Sequence, residues 1–361
     1  MAVAPPGAPA AFPDEEGHRR FAESLDIIKK VWLETTVSHY GQHRQKIMVY
    51  RCPNGRQGKE QQAMPLSIRR LQPVFAGEVT GVDCRRPLDR NTVAAIEQAM
   101  DDYAVLVFPG QELSDAEQIA FTRHFGELER YNTPGHIRKR EDSRLGPGIA
   151  DFSNLDKSGA IMSTEDRVWF FKLADRLWHS DSSFRPVPAK YSLLSGRVIP
   201  SWGANTEFAD MRAAYDALDD RTKGEIEDLV CEHSLIYSRA AIGLTEWSPQ
   251  EAEAFRPVRQ PLVRTHPVTG RKSLFLAAHA GAILGWPIPE ARMFLRDLSE
   301  HATRPEFVYS HAWRPYDLVM WDNRTTMHRA RRFDHREVRD VRRTTLAGDA
   351  PLISEECERI S

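Results

Sequence analysis

Two histidines, one aspartate and a pair of arginines carry the strongest chemical signal in this 361-residue chain. Residues 178–184 read Trp-His-Ser-Asp-Ser-Ser-Phe, so one residue separates His179 from Asp181. On an extended strand alternate side chains share a face. The imidazole and the carboxylate are therefore expected to point the same way and grip one cation. An HxD pair alone is weak evidence, because a chain holding 13 His and many Asp produces one by chance. A third donor strengthens it: His328 ends the run Met-Trp-Asp-Asn-Arg-Thr-Thr-Met-His, after an expected strand at 317–321. Two His and one carboxylate on one face of a metal leave positions open for a bidentate oxoacid and dioxygen, the facial donor set of Fe(II) oxygenases. Arg339 and Arg343 stand eleven and fifteen residues beyond His328, in Val-Arg-Asp-Val-Arg-Arg-Thr-Thr. With Val341 they share one face of a strand. A planar guanidinium suits two-point capture of a carboxylate. Taken alone, the same run reads more readily as a solvated basic strand edge than as a clamp.

The elements that must hold these groups are mostly short strands. The pattern predicts strands at 71–82, 104–108, 191–199, 206–209, 261–266, 273–276, 306–311, 317–321 and 341–346. Helices are expected at 91–102, 211–218, 222–230 and 289–301. Ser114 and Glu117 form a capping box that opens a further helix through 125, closed by Gly126. Residues 131–165 are rich in Gly, Pro, Asp and Ser, and a loop of that length inside a domain reads as a functional lid. The fold class expected is mainly β with flanking helices, a sandwich or barrel.

Three segments are expected along the chain: an N-terminal extension at 1–65, one domain at 66–350 and a C-terminal tail at 351–361. Residues 1–17 have a disordered composition. Phe21, Leu25, Ile28 and Trp32 recur at helical spacing within 18–37.

Composition narrows the classes of function. A formal net charge of −2 provides no broad basic surface, which argues against nucleic acid as a partner. Cys52, Cys84, Cys231 and Cys357 are scattered without a CxxC pair, arguing against a disulfide framework and a zinc site and fitting a reducing compartment. No apolar run approaches the roughly 18 residues needed to span a bilayer. The N-terminus lacks the basic and apolar regions of a signal peptide. The expected location is the cytoplasm, with no membrane partner.

Several segments resemble one known family, the taurine dioxygenase / 2,4-dichlorophenoxyacetate dioxygenase family of Fe(II)/2-oxoglutarate oxygenases. They are LWHSDSSF (177–184), NTEFADMRAAYDAL (205–218), LVRTHPVTGRKSLF (262–275), LVMWDNRTTMHRARR (318–332) and VRRTTLAG (341–348), with 88–126 upstream. The likeness spans roughly 66–350, and WHSDSSF and TEFADMRAAYDAL place the chain nearer the phenoxyacetate branch. It implies a double-stranded β-helix, or jelly roll, with Fe(II) and the co-substrate 2-oxoglutarate. By position it implies that His179, Asp181 and His328 hold iron and that Thr206 and Arg339 take the distal carboxylate of 2-oxoglutarate. Arg343 would take the substrate's own anionic group. It further implies a homo-oligomer, dioxygen as oxidant, and a small anionic, aromatic-ether substrate that is hydroxylated while 2-oxoglutarate becomes succinate and CO2. The resulting hemiacetal would collapse to a phenol and glyoxylate. Asp175 departs from the family, which often carries Asn four residues before the first ligand, and this leaves the exact substrate open. Sulfonates, alkyl sulfates and other carboxylates are alternatives, since Arg343 would accept any of them. Two rival readings are a cupin-like metal protein of different chemistry and a non-catalytic binder of 2-oxoglutarate or an aromatic acid.

Overall fold

The computed structural model describes residues 66–129 and 143–353, together with the backbone of Met48–Val49. The helical pattern at 18–37 and the first part of the expected lid lie outside the described residues. Strands are numbered β1–β16 in chain order. The large sheet runs β1 (Met48–Val49), β2 (Ser67–Arg70), β3 (Gly77–Thr80), β4 (Val105–Phe108), β14 (Leu318–Asp322), β6 (Ala189–Val198), β16 (Asp340–Ala347) and β5 (Ala150–Asp151). A second sheet runs β13 (Val308–His311), β7 (Thr206–Asp210) and β15 (Thr326–Ala330). A third runs β12 (Ala280–Ile283), β8 (Val230–His233) and β9 (Val258–Pro261), and β10 (Val263–Thr265) pairs with β11 (Lys272–Leu274).

The central strands read as unbroken apolar runs because both of their faces are covered. Leu106, Phe108, Leu318 and Met320 pack outward against Ile96, Met100 and Phe121 of two helices, Arg90–Tyr103 and Asp115–Arg123. The alternating residues Val105, Val107, Val319 and Trp321 face Phe208 of β7 in an inter-sheet core. Each large apolar side chain so buried contributes roughly 1.5–3 kcal/mol, and a third cluster around Ile226, Leu274, Ile283, Leu295 and Met327 adds to these two layers. The first helix is capped by Asp89 and ends at Ala104 in the left-handed region (φ 56°). The second carries the Ser114–Glu117 capping box, as expected.

Several boundaries differ from expectation. Of the strand expected over 71–82 only β3 forms, after a turn at 71–76 that follows β2, because Gln72 Oε1 accepts from the backbone of Val74 and Phe75 and turns the chain. The strand over 261–266 is split at Leu262, where pairing passes from β8 to β11. The helix over 222–230 ends at Ile226 and gives way to β8. The strand over 306–311 begins as the 3₁₀ turn Pro305–Phe307. The helix from Ser114 ends at Arg123. Local propensity fades at each of these ends, and pairing with distant strands decides the outcome.

Candidate metal and oxoacid site

His179 and His328 face each other in an isolated antiparallel bridge, with His179 N donating to His328 O at 3.0 Å and the reverse bond at 2.8 Å. That backbone pairing joins two chain-distant histidines directly, and their rings stand 4.2 Å apart. His328 lies within β15, a strand not foreseen from the pattern. His179–Asp181 is likewise not a continuous strand. After the bridge at His179 the chain turns, and Ser182 takes the left-handed conformation (φ 56°). The two side chains still converge: Asp181 Oδ1 lies 4.0 Å from His179 Nε2 and 3.8 Å from His328 Nε2.

Each donor atom is aimed by a neighbour. His179 Nδ1 is 2.8 Å from Leu177 O, which makes Nδ1 the protonated nitrogen and leaves the Nε2 lone pair facing the cluster. Asp181 Oδ2 accepts from Ser192 Oγ at 2.6 Å, so Oδ1 is the oxygen turned inward. Ser192 accepts in turn from Asn323 Nδ2 at 2.9 Å, and Asn323 Oδ1 accepts from Asp181 N and from Trp321 Nε1. Burial alone would raise the Asp181 pKa, but the charge of Arg343 above all, with the Ser192 hydrogen bond, outweighs it and holds the carboxyl at about 2. Burial, with His179 beside it, keeps His328 neutral well below the ordinary histidine range. Ligands must be deprotonated to bind metal, and both groups are held in that form. The three donor atoms lie within 4.8 Å of one another, a separation one divalent ion can bridge.

The triad opens on a cleft of about 740 Å³, continuous with solvent, whose walls include Phe152, Trp169, Asp175, Arg176, Thr206, Phe333, Arg339 and Arg343. The candidate site residues His179, Asp181, His328, Thr206, Arg339 and Arg343 therefore gather in one place. Thr206 begins β7, and its Oγ1 accepts from Trp313 Nε1 at 2.9 Å. With its acceptor side engaged, the hydroxyl proton is directed elsewhere as a donor.

Arg339 is buried, and its Nη1 donates to Phe152 O at 3.1 Å. No carboxylate among the described residues lies within ion-pair distance of it, and its Nε has no hydrogen-bond partner. Burial pulls its pKa down to about 10, with Asp175 opposing and Arg176 adding to the fall. Asn154 fixes it by donating to His335 O and Glu337 O and accepting from Arg339 N at 2.8 Å. A buried cation so placed calls for an anion. Arg343 crosses the Phe152 ring at 4.2 Å and ion-pairs with Asp181 Oδ1. Asp175 lines the cleft but sits 3.9 Å from Arg239.

Gly203 bridges Phe333 on the cleft wall. A Cβ there would lie 2.2 Å from Arg332 O, so only glycine permits the approach. Sequence reasoning missed Ser192, Asn154, Trp313 and Asn323. Asn323 alone had a signal, since it sits inside Met-Trp-Asp-Asn.

A jelly roll that gathers a His-Asp-His cluster and unpaired buried cation in one cleft defines a 2-oxoglutarate-dependent non-haem iron oxygenase. Residues 67–345 match the taurine catabolism dioxygenase TauD, TfdA family, and the chain belongs to it. The alpha-ketoglutarate-dependent 2,4-dichlorophenoxyacetate dioxygenase of Cupriavidus pinatubonensis is 47% identical over 78% of this chain and 97% of its own length. The (S)-phenoxypropionate/alpha-ketoglutarate-dioxygenase of Sphingobium herbicidovorans is 38% identical, over 78% and 95%. The crystal structure of AAD-2 with Mn(II) and N-oxalylglycine matches with a TM-score of 0.79 at 56% identity, over 80% of this chain and 100% of that one. Its Mn(II) and N-oxalylglycine stand in for Fe(II) and 2-oxoglutarate. The protein is a dioxygenase that uses Fe(II), 2-oxoglutarate and dioxygen, and the jelly-roll expectation holds.

Proposed function

We propose that the enzyme hydroxylates a small aryloxyalkanoate of the 2,4-dichlorophenoxyacetate type at the carbon between the ether oxygen and the carboxylate. The observation that carries this reading is the convergence of the His179–Asp181–His328 cluster with Arg339 and Arg343 in a cleft walled by Phe152, Trp169 and Phe333. The names of the relatives support it.

In this reading His179, Asp181 and His328 ligate Fe(II). When bound, the metal and 2-oxoglutarate together supply activation of dioxygen, with succinate and CO2 as co-products. Arg339 neutralises the distal carboxylate of 2-oxoglutarate and Thr206 donates a hydrogen bond to it. Arg343, which pairs with Asp181 Oδ1 on the cleft wall, would hold the substrate carboxylate and orient the ether carbon toward the cluster. The aromatic walls exclude water from the reacting carbon. The new hydroxyl forms a hemiacetal, whose C–O bond breaks to give a phenol and glyoxylate.

The oxygenase domain is assigned to 66–350, with 1–65 as an extension and 351–361 as a tail, in support of which the family match covers 67–345. The reading includes a cytoplasmic homo-oligomer with neither nucleic acid nor membrane as partner. A net charge of −2 offers no counter-charge to phosphate, and among the described residues no helix is long and apolar enough to cross a membrane. Sedimentation velocity measures the oligomeric state.

The test is succinate release by Fe(II)-loaded protein given 2-oxoglutarate, dioxygen and 2,4-dichlorophenoxyacetate, with His179→Ala as control. Succinate matched by phenol and lost in the variant is the expected result. Succinate indifferent to the aryloxy acid would overturn the substrate assignment.

A further inference from the structure

Arg176 is a third guanidinium on the wall of the catalytic cleft, beside Arg339 and Arg343. It ends the 3₁₀ turn Leu173–Arg176, three residues before the first histidine of the triad. That turn is tied down on both sides: Leu177 N donates to Ala174 O at 3.0 Å, and Leu177 O meets His179 Nδ1 at 2.8 Å. Arg176 is therefore carried on the same rigid piece of backbone as a ligand of the cluster.

Its surroundings are electrostatically lopsided. Arg176 is half-buried, yet it makes no hydrogen bond or ion pair with any described residue. The adjacent carboxylate, Asp175, is turned to Arg239 at 3.9 Å. Arg332 is the charged group that acts on Arg176, whereas Arg339 feels Asp175 first, in the opposing sense, and then Arg176. Burial and then Arg332 lower the pKa of Arg176, while Arg176 lies near enough to Arg339 to lower it in turn. Two cations withdrawn from water and facing one end of one cleft are a costly arrangement unless an anion enters between them. A carboxylate has about four lone-pair sites on its two oxygens, more than one guanidinium fork and one hydroxyl occupy.

We propose that Arg176 is the outer guanidinium of a two-arginine clamp on the distal carboxylate of 2-oxoglutarate, with Arg339 as the inner one. This rests on the reading that Arg339 and Thr206 receive that carboxylate. The clamp makes the site selective for a dicarboxylate: a 2-oxo acid without the second carboxylate gains nothing from Arg176. Of the three guanidiniums, Arg339 is buried, Arg176 half-buried and Arg332 exposed, so positive charge extends from the cleft wall toward solvent.

Two measurements test this on the full-length protein. The first is calorimetric binding of N-oxalylglycine to the Mn(II)-loaded form. Arg176→Gln is expected to raise Kd about tenfold, with Arg176→Lys recovering part of the loss. The second compares kcat/KM for 2-oxoglutarate with that for 2-oxopentanoate, which carries a methyl group in place of the distal carboxylate. The glutamine variant is expected to lose about tenfold on 2-oxoglutarate, through KM, and to keep its rate on 2-oxopentanoate. An equal loss on both co-substrates would mark Arg176 as merely structural and overturn the proposal. So would an unchanged Kd, or a rise confined to KM for the aryloxy acid. Arg339→Gln separates the two levels. If it also leaves the preference for 2-oxoglutarate intact, the assignment of Arg339 is wrong. If it abolishes the preference while Arg176→Gln does not, only the outer guanidinium falls.

Discussion

Two buried clusters in this molecule use the same residue types, His, Asp and Arg, and only one of them can do chemistry. In the first, Asp322 Oδ1 accepts from Arg324 N and Nε at 2.8 and 2.9 Å, and Oδ2 accepts from Arg324 Nη2 at 2.8 Å and lies 3.3 Å from His266 Nε2. Arg324 Nη2 also reaches Tyr191 OH at 3.2 Å, and His266 Nδ1 accepts from Thr269 N at 3.1 Å. The acceptors of that cluster are used up inside the protein. In the second, Asp181 Oδ2 accepts from Ser192 while Oδ1 pairs with Arg343, and both imidazoles present Nε2 to that same oxygen. A closed network stabilises one arrangement of the chain, whereas an open one leaves lone pairs converging on a cleft, which is what a metal requires.

The largest expected effects separate the two clusters. His179→Ala should cut turnover by about 10³-fold, the equivalent of about 4 kcal/mol in the barrier, and abolish Mn(II) binding with little loss of stability. Asp322→Asn should do the reverse, costing about 3–5 kcal/mol in denaturant unfolding, because it leaves the buried Arg324 charge without its counter-ion. Equal stability losses in both variants would erase the distinction. Ser192→Ala removes the bond that selects Asp181 Oδ1 as the inward oxygen. Metal affinity should fall about 10- to 100-fold, measured by Mn(II) titration. Arg343→Ala should raise KM for the aryloxy acid about 30-fold, about 2 kcal/mol, and leave KM for 2-oxoglutarate nearly unchanged.

The smallest effect sharpens the contrast from outside both clusters. His233 is buried with neither ring nitrogen hydrogen-bonded among the described residues, and burial, then Arg264, pulls its pKa down to about 3. The folded value lies below the unfolded 6.5, so between the two the unfolded chain binds the extra proton. Stability is thus lost as pH falls from about 6.5 toward 3, with a slope from this group of at most about 1.4 kcal/mol per pH unit. Unfolding curves at pH 6 and 5 should show that slope, and His233→Phe should reduce it.

Much of the site was legible because its motifs are local. Trp-His-Ser-Asp placed two donors within one turn of chain, and Arg339 and Arg343 lie on one strand-long segment whose alternating inward residues include the fully buried Val341. The geometry invoked for the first pair was wrong in detail, since a bridge and a left-handed Ser182 bring His179 and Asp181 together where a regular strand was expected. The supporting residues were not legible. Ser192, Asn154 and Trp313 are ordinary polar or aromatic residues whose partners are remote in the chain, and no spacing marks them.

Residue chemistry by itself determined the donor set, the guanidiniums and the class of reaction, since softness, charge and planarity belong to side chains wherever they sit. Period and caps determined most elements. Tertiary structure alone decided that His179 and His328 pair across one backbone bridge, which oxygen of Asp181 faces inward, and that Arg176 lies near Arg339 with no partner among the described residues. Those outcomes depend on contacts between segments far apart in the chain, where hydrogen-bond direction and burial are set by packing and leave no periodic trace in the sequence.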